Sequence, residues 1–268
     1  MFLKVKTIED IKKLPENFNE PILFKNGCKS MPAINKWNLD YLQKKMQNIL
    51  FPVEIYDNRD DMGSSLIKKQ LEISFDKIIK KIKNDKPPYH YCAEIDLFEY
   101  EDYIHDDIFN DIQYEYDSIR TPKNSLIFVG KDTKSGCHIH GGEDYMLNQI
   151  FGKKIVYMFD FEDNSFLKMN SIFSRYANFK EDNFFKLDWN KLKIYKVELN
   201  PGDSLLIPPW WFHAVQGLNY SCSITKTFER TENNFLNKHF SIKLLNLSIN
   251  AVDNFTLLCN DVYKSKDY

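Results

Sequence analysis

The chain has 268 residues, enough for one large domain with a modest appendage. Hydrophobic residues make up 43% and charged residues 28%, so a packed core is expected rather than a disordered chain. Its 36 basic and 38 acidic residues leave a net charge of −2, which supplies no global positive field for nucleic acid, and no run of about 18 apolar residues suggests a membrane span.

The first residues, MFLKVKTIEDIKKL, carry charges throughout and lack the apolar stretch of a signal peptide. TIEDIKKL, 7–14, predicts a short helix, with Thr7 as its cap and Asp10 three residues on. EPILFKNG predicts a strand ending at Gly27. WNLDYLQKKM predicts an amphipathic helix that buries Trp37, Leu39, Leu42 and Met46. FPVEIYDN predicts a strand, and SLIKKQLEISFDKIIKKIK, 65–83, a basic amphipathic helix with a solvated lysine face. From about residue 90 the texture changes. YHYCAEIDLFEY, SLIFVG, YMLNQIFG, KIVYMFD, KIYKVELN, DSLLIPP and SCSITKTF are short segments rich in β-branched and aromatic residues, separated by turn residues. Such a series points to a β-sandwich or barrel. Beyond Phe228, apolar residues return at helical spacing (Phe235, Phe240, Leu244, Leu247 and Ile249), predicting one or two C-terminal helices. The expected organisation is a β-rich domain over 1–228 and a helical segment over 229–268 that caps it or pairs two copies into a homodimer. The five cysteines, Cys28, Cys92, Cys137, Cys222 and Cys259, are odd in number, widely spaced and without CxxC. They suit reduced thiols in a cytoplasmic or nuclear setting.

Two segments carry candidate chemistry. In SGCHIHGGED, His138 and His140 stand two residues apart, so in a strand both imidazoles would face one side. In PGDSLLIPPWWFHAV, a turn and a buried-strand pattern lead through Trp210, Trp211 and Phe212 to His213. Histidines from two distant segments can share one metal ion and leave positions open for substrate. Each segment also has a plain structural reading, as a solvated strand end and a buried core histidine.

These residues resemble a family. The order His-x-(acid), QxxGxK and PGDxLxIPxxWxH is similar to that of the JmjC and cupin-like Fe(II)/2-oxoglutarate oxygenases, and more narrowly to the group containing the asparaginyl hydroxylase of hypoxia-inducible factor. The likeness runs over most of the chain through EPILFKNG with WNLDYL, SLIFVGKDTKSGCHIH, NQIFGKKIVYMF and DSLLIPPWWFHAV. It implies a mainly β chain with flanking helices and a double-stranded β-helix (jelly-roll, cupin) core. It places His138 and His213 as metal ligands, Lys154 on the far carboxylate of 2-oxoglutarate, and Ser135 and Thr227 near the same cosubstrate. Where the family has its second, acidic ligand, this chain has His140. The spacing to Gly152 also differs by one residue. Three registers follow: His138, His140 and His213 as a three-histidine site; Glu143 or Asp144 supplying the carboxylate; or His140 as first ligand with Gly142 in the acid's place. Imidazole in place of carboxylate raises the site's charge by one and favours Zn, Ni or another divalent ion over iron. The implied function is hydroxylation of a protein or peptide side chain, with tRNA as an alternative substrate. A catalytically diverged binding or scaffold protein, or a metal cupin that does not use 2-oxoglutarate, are the other readings.

Overall fold

The computed structural model describes residues 2–9, 19–62, 69–108, 121–140, 143–160, 168–169, 177–178, 184–186, 189 and 193–229. The expected C-terminal helices, beyond Glu229, lie outside the described residues.

The N-terminal third is a helical layer on part of a sheet. β1 (Lys6–Ile8) runs parallel to β2 (Ile22–Phe24). Helices α1 (Pro32–Lys36) and α2 (Leu39–Lys45) follow. Asn38 caps α2, its side chain accepting from the Tyr41 N–H at 2.9 Å and so satisfying one otherwise unpaired donor. The four residues expected on the buried face, Trp37, Leu39, Leu42 and Met46, are all buried. Next come β3 (Leu50–Tyr56), β4 (Lys69–Ser74), α3 (Phe75–Asn84), β5 (Tyr89–Asp96) and α4 (Glu101–Ile108). α3 buries Phe75, Ile78, Ile79 and Ile82, the i, i+3, i+4, i+7 stripe of an amphipathic helix. Asp107 on α4 accepts from Lys36, from the Trp37 indole and from the Tyr41 hydroxyl, fastening α1 and α2 to α4.

Two sequence expectations are corrected here. Thr7 does not cap a helix: Lys6–Ile8 pair residue by residue with Ile22–Phe24, and a strand partner outweighs a local capping preference. Residues 10–14 of that segment lie outside the described residues. Nor is 65–83 a single helix. Lys69–Ser74 form β4 along β3, with Leu71 opposite Val53 and Ile73 opposite Phe51, a two-residue period hidden inside a helical one. Only the part from Phe75 onward is helical.

The remaining strands build the jelly roll: β6 (Thr121–Lys131), β7 (Lys134–His138), β8 (Glu143–Asp160), the two-residue β9 (Lys168–Met169) and β10 (Ala177–Asn178), β11 (Tyr195–Leu199), β12 (Ser204–Ile207) and β13 (Trp211–Glu229). β8, expected as two strands, is one. All but the β9–β10 pair join an eleven-stranded sheet in the order β1-β2-β12-β8-β13-β6-β5-β3-β4, with β11 also on β8 and β7 also on β13. β8 and β13 are long enough to serve two layers. In one, β13 lies between β6 and the first half of β8; in the other it lies between β7 and the second half. The bend between layers falls at Gly152 of β8, Asn219 of β13 and Asp132 in the turn from β6 to β7, with φ of 67°, 54° and 46°. There the Asp132 N–H donates to the Asn219 carbonyl at 3.0 Å, and the Asp132 carboxylate accepts the Asn219 N–H at 2.7 Å. At Gly152 a Cβ would lie 2.0 Å from the Tyr220 carbonyl oxygen. Gly152→Ala is therefore expected to cost about 2–4 kcal/mol, the sum of left-handed backbone strain and overpacking. Chemical denaturation would read it as a lowered midpoint.

The four described cysteines, Cys28, Cys92, Cys137 and Cys222, are buried free thiols. Among the described residues no helix is long and apolar enough to cross a membrane.

Candidate metal centre

β13 carries His213 into direct register with His138 on β7, and their ring centroids lie 4.3 Å apart. His140, two residues beyond the end of β7, brings its ring to 4.7 Å from His138 and 5.2 Å from His213. One ring nitrogen from each of the three lies within 4.8 Å of the others. Among the described residues this is the group of histidine, cysteine or acidic side chains that can gather round one ion.

The surroundings set which nitrogen is available. His138 Nδ1 lies 2.7 Å from the Gly136 carbonyl and His213 Nδ1 lies 3.1 Å from the Trp211 carbonyl. A carbonyl only accepts, so each Nδ1 carries the proton and each Nε2 keeps its lone pair, the arrangement that prepares an imidazole for a metal. His213 is 6% exposed. Burial, and behind it the neighbouring His138, holds its imidazole down at about 3, against the pull of the Trp211 carbonyl. It is thus neutral at physiological pH and able to ligate without first losing a proton. Three imidazoles in reach of one another, two of them with Nδ1 turned to a carbonyl, fit a divalent transition ion.

The two carboxylates expected as alternatives sit elsewhere. Glu143 opens β8 and accepts the Tyr145 hydroxyl at 3.2 Å. Asp144 is fully buried and opposes Phe228, whose ring packs with Ile22, Phe24, Met146 and Leu206 on the sheet's other side. Neither belongs to the group of converging donors. Gly142, the third alternative, lies outside the described residues.

Lys154 follows the bend on β8, opposite Gly217 of β13, so it shares a sheet face with His213, four residues earlier on that strand. It is 2% exposed. Its ammonium donates to Ser223 Oγ at 2.5 Å and lies 5.2 Å from the centre of the Phe128 ring. Desolvation lowers its pKa to about 8. No acidic side chain among the described residues pairs with it. A buried cation left without a counter-charge fits an anionic ligand. Ser135, opposite Val215 on the same face, has its hydroxyl 3.3 Å from the Tyr91 hydroxyl. Thr227, farther along β13, has its hydroxyl accepting the Asn124 N–H at 3.1 Å beside the bulge between β13 and β6.

Several residues of this interior escaped the sequence reading: Tyr91, Phe128, Tyr145 and Ser223. One signal was available. Ser221, Ser223, Thr225 and Thr227 alternate along SCSITKT and all are buried. Hydroxyls at every second place of a buried strand mark a polar interior.

A jelly roll that turns a polar interior and a set of imidazoles towards one another is the architecture of a cupin. The chain belongs to the cupin-like domain family, whose pattern matches residues 16–235. Over 214 residues it is 26% identical to "Lysine-specific demethylase JMJ30" of Arabidopsis thaliana, covering 76% of this chain and 49% of that protein. Over 242 residues it is 27% identical to "Jumonji C domain-containing protein 5" of Drosophila melanogaster, covering 85% and 59%. A third relative, "tRNA wybutosine-synthesizing protein 5" of Homo sapiens, is 24% identical over 201 residues, covering 69% and 63%. The chain thus spans roughly half to three fifths of the length of these relatives. The narrower likeness to the asparaginyl hydroxylase of hypoxia-inducible factor is not carried by these matches.

Proposed function

We propose that this chain is a metal- and 2-oxoglutarate-dependent hydroxylase whose substrate is a protein side chain. The observation that supports it most is Lys154, a buried ammonium with no acidic partner among the described residues, on the same face of β13 and β8 as His213. Its charge in a dry interior is suited to a small dicarboxylate. His138, His140 and His213 would hold the ion, Lys154 the far carboxylate, and the hydroxyls of Ser135 and Ser223 would complete the hydrogen bonds. When bound, iron and 2-oxoglutarate supply the activation of dioxygen. The protein's own share is placement and exclusion of water. Trp210 and Phe212 pack with Ile139 behind the histidines, and Leu205, Ile207 and Trp211 pack with Met158 and Val156 beside them. The relatives' names point to different substrates, lysine in one and tRNA in another. The acidic balance of the chain favours protein.

The second reading is a metal-binding module without oxygenase chemistry. It is favoured by His140, a neutral imidazole in the position of the family's acid, which leaves more charge on a divalent ion and favours zinc or nickel. Protein stripped of metal, reloaded with Fe(II) without oxygen and then given 2-oxoglutarate and oxygen separates the two. Succinate formed in step with oxygen consumption supports the hydroxylase; full metal loading with no succinate leaves the module.

A further inference from the structure

We propose that Tyr145 is a positioning residue for His140, holding the imidazole that replaces the family's acidic ligand. The proposal rests on the three-histidine reading above.

The main chain and the side chain of His140 are secured by different groups. Its carbonyl accepts the Trp210 N–H at 2.9 Å, and Trp210 takes a left-handed backbone (φ 68°) to present that donor. The preceding residue, Ile139, is fully buried in the cluster that holds the Trp210 and Phe212 side chains. This fixes where the segment lies, while the direction of the imidazole is set separately, by its two side-chain torsions. The ring of Tyr145 meets that need. It stacks on His140 with centroids 4.1 Å apart and planes 18° from parallel. Both ends of Tyr145 are anchored: its backbone opposes Thr227 in the β8–β13 ladder, and its hydroxyl donates to Glu143. A fixed flat surface against one face of the imidazole selects the ring plane, which stands at 89° to the His138 ring and 36° to the His213 ring. A carboxylate in this place would be short and would need no such wall. An imidazole has a larger ring to orient and loses more freedom on binding a metal. Tyr145 and Glu143 thus answer the substitution at His140.

The test is a titration of the metal-free full-length chain with Co(II), read by the visible absorption of the bound ion. The variants are Tyr145→Leu and Tyr145→Phe, each alone and combined with His140→Ala. Tyr145→Leu is expected to weaken Co(II) roughly tenfold and to change the shape of the absorption band. Tyr145→Phe keeps the stacked face and loses only the anchor to Glu143, so a smaller loss of about two- to threefold is expected. Neither change should add to the loss already caused by His140→Ala. If Tyr145→Leu leaves affinity and spectrum unchanged while His140→Ala weakens binding, the positioning role is overturned and the three-histidine site stands. An equal loss in both backgrounds marks a general packing role and also overturns it. If His140→Ala has no effect, the reading beneath the proposal fails. Should the leucine variant not fold, Tyr145→Phe decides alone, by whether its loss disappears in the His140→Ala background.

Discussion

His213→Ala is expected to weaken divalent-metal binding by about a hundred- to a thousandfold while leaving the fold intact. His213 is the most deeply placed of the three imidazoles, in register with His138 on one side and Met158 on the other. Metal binding worth roughly 10–16 kcal/mol in a four-ligand site implies about 2.5–4 kcal/mol for each ligand. The cost in stability is smaller. Removing the ring leaves a cavity where His213 opposes His138 and Met158, at about 1–3 kcal/mol, and also removes a buried polar group. Metal content by mass spectrometry, with the melting temperature of the metal-free protein beside it, checks both halves. If the variant retained metal at the wild-type level, the ion would be bound elsewhere.

Lys154→Met should act with opposite signs on stability and on ligand binding. In the free protein the ammonium is buried with Ser223 as its hydrogen-bond partner and no carboxylate among the described residues. Its pKa falls from 10.5 to about 8, so below pH 8 the folded state carries a penalty on the order of 3 kcal/mol. That penalty fades as pH rises from 8 through 10.5, because the folded chain has then already lost the proton and the unfolded chain loses it too. Methionine fills a similar volume without charge, so the unfolding midpoint at pH 7 is expected to hold or rise. Binding of 2-oxoglutarate, in contrast, should fall about a hundredfold or more, the cost of deleting one partner of a desolvated charge pair. The wild-type affinity should itself be pH-dependent, full below about pH 8 and declining above it as Lys154 deprotonates. Calorimetric titration at pH 7 and pH 9 reads both effects. A lysine with a purely structural role would give the reverse pattern, with lower stability and unchanged binding.

The strands of the jelly roll were readable because β-branched and aromatic residues cluster between turn residues from about residue 90 onward. The one split that did not occur, at Gly152, has a physical reason. A glycine between two apolar runs reads as a turn, yet here the strand pairs with β13 on both sides of Gly152, across a register shift, and glycine is needed for close approach to Tyr220. Near the N-terminus, local pattern misled where a distant partner decided: β1 is a strand because Ile22–Phe24 lie beside it. At the site, the two-residue spacing of His138 and His140 and the arrival of His213 at a strand start were visible as pattern. Their convergence required the register of β7 on β13. The choice among His140, Glu143 and Asp144 could not be read, since it turns on where β8 begins. With Glu143 as its first residue, Glu143 and Tyr145 face one side and Asp144 the other. Tyr91 and Ser223 lie 44 and 69 residues from the groups they contact, and only the alternating hydroxyls of β13 hinted at them.

The claim on which the rest depends is that His140, and not a carboxylate, completes the site with His138 and His213. Anomalous diffraction from a crystal of the full chain soaked with Co(II) and a 2-oxoglutarate analogue addresses it most directly. The expected result is one metal peak at about 2.0–2.2 Å from a ring nitrogen of each of the three histidines, with the analogue's far carboxylate on Lys154. A peak bonded to Glu143 or Asp144 in place of His140, or an analogue seated away from Lys154, would contradict it.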